Sequence, residues 1–159
     1  MRTTLSWFSL AALSTAVLIS SCGSDAKTTS TSSSPKSTAA QQNACPVDGC
    51  RIVITDAQKQ GDELRLTWKA NFTPNFSKNH IHVFWDKYTA DQVSNDAAAR
   101  GKVQGEWVPT DAYPVYVTED VVSTAKRGTS TAVCVTAGDR DHNVIDSSIV
   151  NCRDVAKLL

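Results

Sequence analysis

The chain has 159 residues, with 16 basic and 16 acidic side chains and a formal net charge of zero. That balance excludes a nucleic-acid partner gripped by phosphate neutralisation, which needs a basic surplus. With 41% hydrophobic and 20% charged residues the composition is globular, neither disordered nor coiled-coil.

Met1-Arg2 supplies a positive start, and Leu5 to Ile19 form an apolar run of 15 residues. As a helix this run is about 22 Å long, short of a bilayer's roughly 30 Å hydrocarbon core. It reads as the core of a secretion signal, not as a membrane span. The next residues, Ile19-Ser20-Ser21-Cys22, resemble the lipobox of bacterial lipoproteins, although Ile at the first position and Ser before the cysteine depart from its commonest form. The resemblance implies removal of residues 1–21, diacylation of Cys22, and lipid anchoring in the bacterial cell membrane, facing the periplasm or the cell exterior. Two acyl chains anchor stably where one binds only marginally. Without Arg2 the mature charge is near −1, so the partnership with the membrane is expected to run through the lipid and not through basic residues.

Residues 22–43 read as a tether. From Thr28 to Thr38 nine of eleven residues are Ser or Thr, and nothing apolar larger than Ala occurs between Gly23 and Ala44. Such a stretch cannot offset the entropy of ordering. As a coil of about 21 residues it spans on the order of 25 Å.

Residues 44–159 read as one all-β domain. Ile52 and Ile54 alternate with Val53; Gln60-Gly61-Asp62 marks a turn; Leu64, Leu66 and Trp68 alternate with polar partners. Ile81, Val83 and Trp85 alternate with His80, His82 and Phe84, and three more β-rich runs lie at 113–118, 131–137 and 148–152. Thr89 with Gln92 forms a capping-box pattern before Ala97-Ala98-Ala99-Arg100-Gly101, which predicts a short helix over Ala90 to Arg100. The stretch from Lys102 to Thr124 has no distinct pattern.

The order of strands resembles a fibronectin type III or immunoglobulin-like sandwich of about seven strands. In that resemblance residues 51–57, 63–72 and 79–88 are the first three strands, and 131–137 and 149–153 are the last two, joined by the loop Gly138 to Asn143. Four cysteines besides Cys22 favour two disulfides in an exported domain, with three connectivities open. Cys45–Cys50 would close a tight loop around Pro46 and Asp48-Gly49. A hairpin centred on Asn143 would place Cys134 opposite Cys152. No C-x2-C pair exists, which argues against a cysteine zinc site or a thioredoxin-like function.

His80 and His82, two apart on one strand, share a face. With Ile81, Val83 and Trp85 assigned to the core, that face is expected to be solvated. His142 falls in the last loop, which the sandwich resemblance brings to the start of the third strand, with Asp139 and Asp141 alongside. Two imidazoles at i, i+2 reach one ion, and Zn²⁺ or Cu²⁺ accepts such ligands. Met occurs only at position 1, which excludes a thioether copper(I) site. Trp107, Tyr113 and Tyr116, beside Pro109 and Pro114, form a candidate recognition loop. No G-x-S-x-G, Gly-rich phosphate cradle or comparable catalytic arrangement is present. The resulting expectation is an envelope-tethered binding protein without catalysis or cofactor, with a protein, glycan or small molecule as partner. The alternative is a Zn- or Cu-binding protein built on His80, His82, His142 and Asp141.

Overall fold

The structure, a computed structural model, describes residues 45–159. The expected signal, the lipidation site Cys22 and the tether lie outside the described residues. Seven strands are present among the described residues: β1 (Ile52–Gln60), β2 (Glu63–Ala70), β3 (Asn79–Trp85), β4 (Val108–Thr110), β5 (Val115–Val117), β6 (Ala132–Asp139) and β7 (Asn151–Asp154). They form two antiparallel sheets, β1-β2-β5 and β4-β3-β6-β7. Among the described residues, helix is confined to 3-10 turns at Ala90–Gln92, Asp120–Val122, Thr124–Lys126 and Ala156–Leu158. None is long and apolar enough to cross a membrane.

Local sequence explains the main pairings. Gly61 adopts φ +62°, the left-handed region that glycine enters without steric cost, and so β1 turns directly into β2. Leu64, Leu66 and Trp68 of β2 and Ile81, Val83 and Trp85 of β3 are essentially inaccessible and belong to one cluster with Ile52, Ile54, Val133 and Val135. Each such side chain contributes about 1.5–3 kcal/mol of transfer free energy. Trp68 stacks on Tyr116 at 5.6 Å, and its indole N–H donates to the Ala112 carbonyl at 3.2 Å.

Both disulfides take the expected pairs, Cys45–Cys50 and Cys134–Cys152. Cys134 lies directly opposite Cys152 in the β6–β7 ladder. The hairpin tip is centred elsewhere, however. Gly138 bridges Val144, and the Asp139 N–H donates to the Asn143 carbonyl, so the tip centres on Asp141. A turn in which Asp146 caps the Ser148 N–H then shifts the register before β7 begins.

The helix expected over Ala90 to Arg100 does not form: a single 3-10 turn, Ala90–Gln92, is followed by turns up to Gly101. The start signal works, because the Gln92 side-chain carbonyl accepts the Thr89 N–H at 2.9 Å. The chain cannot continue as a helix because its carbonyls serve other partners. The Gln92 carbonyl accepts the Gly105 N–H and the Val93 carbonyl bonds the His82 ring. The Ser94 hydroxyl meanwhile accepts the Val144 N–H.

Candidate metal centre

β3 is buried at all seven positions. Ile81, Val83 and Trp85 enter the main core, while Phe84 joins a second cluster with Ala90, Val93, Cys134 and Val144, flanked by Tyr88 and Trp107. The segment between β3 and β4 covers this second face. His80 and His82 therefore have no exposure, and the expectation of a solvated histidine face is corrected. Alternation identified the side of the strand correctly; it carries no signal for a distant segment folding over that side.

Three imidazoles meet beneath this cover. His82 Nδ1 lies 2.7 Å from the Val93 carbonyl. A carbonyl only accepts, so Nδ1 carries the proton and Nε2 presents a lone pair. His82 Nε2 is 3.1 Å from His80 Nε2, which is 2.8 Å from His142 Nδ1. All three ligand nitrogens lie within 4.8 Å of one another. Burial, followed by the charge of His142, pushes His80 down to about 4. Burial, followed by the charge of His80, pushes His82 down to about 3. Both rings are thus neutral ligands at physiological pH.

Neighbouring residues fix the geometry. His142 sits at φ +62°, a left-handed conformation in which His, like Asn and Asp, is enriched. The loop holds it there: Asp139 Oδ1 accepts the backbone N–H of both Asp141 and Asn143 at 2.8 Å. The His142 carbonyl also accepts the Asn95 N–H at 3.0 Å. Gly138 lies opposite His80, and a Cβ there would collide with His82 Nε2 and stand 2.7 Å from Cε1. Trp107 stacks on His82 with centroids 4.0 Å apart and planes 21° apart, and Phe76 lies 5.2 Å from His80.

Of the residues singled out in the sequence, His80, His82 and His142 come together, and Trp107 joins them. Asp141 does not. It is exposed, and its carboxylate is bound by Arg140 through two hydrogen bonds of 3.1 and 3.2 Å. Tyr113 is exposed on the surface, whereas Tyr116 is buried against Trp68. Trp107, Tyr113 and Tyr116 therefore have separate surroundings. Gly138, Phe76 and the Val93 carbonyl escaped sequence reasoning; only Gly138 left a signal, since glycine within a strand marks close approach.

The hydrogen bonds among the rings cannot all be satisfied. If His80 Nε2 is unprotonated, its lone pair faces that of His82 across 3.1 Å. If it is protonated, it donates to only one of its two neighbours at full strength, and His80 Nδ1 has no hydrogen-bond partner in either tautomer. Buried polar atoms without partners are rare, and converging lone pairs are what a cation uses. Metal–nitrogen bonds of about 2.0–2.1 Å in a tetrahedral site place ligand nitrogens roughly 3.3 Å apart, so the two close pairs would open slightly and His82 and His142, within 4.8 Å of each other, would draw together.

Comparison with protein-family models, curated proteins and solved structures gave no match.

Proposed function

We propose that the protein is a lipid-anchored, extracytoplasmic binding protein of the bacterial envelope whose bound species is a transition-metal ion, Zn or Cu. His80, His82 and His142 hold the ion. The observation that carries this reading is the convergence of three imidazoles, two of them fully buried, with ligand nitrogens within 4.8 Å of one another. The Val93 carbonyl acts as the outer-shell acceptor that metal-bound histidines use to fix their orientation. Binding, not turnover, is the proposed activity.

The envelope location is supported by the signal-like run, the lipobox-like Cys22 and the two disulfides. An immunoglobulin-like class is supported by the sheet order. With β1, β2 and β5 as strands A, B and E, and β4, β3, β6 and β7 as C′, C, F and G, the two sheets have the pairing a fibronectin type III sandwich needs.

The full-length protein, extracted in detergent, tests the proposal. After exposure to Zn²⁺ or copper followed by gel filtration, elemental analysis should find one ion per chain. His82→Ala should abolish retention. His142→Asn, which keeps a residue suited to left-handed backbone, should do the same with unchanged circular dichroism. Absence of any retained ion in the native chain overturns the proposal.

A further inference from the structure

We propose, building on that metal site, that its preferred ion is monovalent copper, held by His80, His82 and His142 beneath the ring of Trp107. The donor set comes first. All three donors are imidazole nitrogens, which bind a cation as uncharged groups, and no carboxylate joins them among the described residues. Asp141 is engaged by Arg140, and Asp139 Oδ1 receives two loop amides. A divalent ion here keeps its full double charge away from water with no anionic ligand to neutralise it. The cost of desolvating an ion grows with the square of its charge, so a single charge is penalised about one quarter as much.

Coordination number points the same way. Zn²⁺ in protein sites takes four ligands, and Cu²⁺ prefers a tetragonal set. A monovalent d10 ion accepts three donors without a completing water. Imidazole nitrogen suits copper, and three imidazoles are what β3 and the 139–143 loop provide.

The walls are aromatic. Trp107 stacks on His82 and lies 5.8 Å from His142, so its indole walls the site beside two of the three ligands. Phe76 lies 5.2 Å from His80 and 6.5 Å from His142. An aromatic face attracts a cation, and most strongly when water is excluded. It offers no lone pair with which a divalent ion could complete its coordination. No electron transfer is involved: the ion enters and leaves as Cu⁺.

Competition titrations on the full-length protein in detergent decide the matter. Cu⁺ is held under ascorbate with a chromophoric copper(I) chelator, and Zn²⁺ and Cu²⁺ are each offered with their own chromophoric chelators. We expect one Cu⁺ per chain, bound at least a hundredfold more tightly than Zn²⁺ or Cu²⁺, with tryptophan emission quenched. His142→Asn should lose the Cu⁺. Trp107→Leu, which leaves every donor in place, should weaken Cu⁺ by about tenfold. Equal or tighter binding of Zn²⁺ or Cu²⁺ would overturn the copper(I) assignment and leave the metal-binding function standing. Failure of all three ions to bind overturns both.

Discussion

The two faces of β3 make an instructive contrast. On one, Ile81, Val83 and Trp85 meet Leu64, Leu66 and Trp68 of the opposing sheet in an apolar layer. On the other, His80 and His82 are just as inaccessible, yet they lie under a segment that has almost no regular structure. The first face is buried by a sheet and needs only shape and hydrophobicity. The second is buried by turns, whose carbonyls and hydroxyls are partly spent on specific partners: Val93 on His82 of the strand beneath, Gln92 on Gly105 of the same segment, Ser94 on Val144 of the neighbouring loop. Regular cover yields a core, whereas irregular cover leaves specific polar contacts that orient a site.

Substitutions on each face separate these roles. Trp68→Ala should lower unfolding free energy by about 3–5 kcal/mol in urea titration, while the folded fraction keeps its full metal stoichiometry. Removing the Cys134–Cys152 bridge with paired alanines should cost about 3 kcal/mol by the chain-entropy argument. Gly138→Ala should cost about 1–3 kcal/mol through overpacking and, unlike the other two, abolish ion binding, because the new methyl group collides with the His82 ring. If Gly138→Ala binds metal normally, the contrast between the faces fails.

Acid provides the gentlest probe near neutrality. His80 and His82 titrate at about 4 and about 3 when folded, against about 6.5 when unfolded. Below 6.5 the unfolded chain binds more protons, so stability of the metal-free protein is complete above that pH and declines as pH falls towards 3. Calorimetric unfolding at pH 5 should take up close to two protons from these rings, and His82→Phe should reduce that by about one.

Much of the fold is legible in the sequence because two-residue alternation is dictated by the pleat. It marks β1, β2 and β3, while β6 reads only as a β-rich run; Cys134 faces Cys152 as a hairpin centred on Asn143 predicts, but the pairing comes from a tip at Asp141 and the register shift that follows it. β4 is only three residues long, with Pro109 at its centre, too short for alternation to register. The segment after Thr89 carries the local preferences of a helix, and tertiary contacts override them. The proximity of His142 to His80 and His82 follows from strand order; the burial of the pair does not, because Trp107 and Val93 reach them from a stretch whose course depends on turns. Asp141 reads as a ligand because it neighbours His142 in sequence, but its carboxylate is held by Arg140 on its other side.

The 139–143 loop has a kinetic consequence. His80 and His82 are fixed in a strand, so the ligand that can move aside is His142, the least buried of the three. Its position depends on one carboxylate, Asp139, gathering two backbone amides. The residence time of the proposed ion should therefore be governed by how often that clamp lets go. Asp139→Ala should speed ion release in a stopped-flow chelator chase more than it weakens equilibrium affinity, although Asp139 is not itself a ligand.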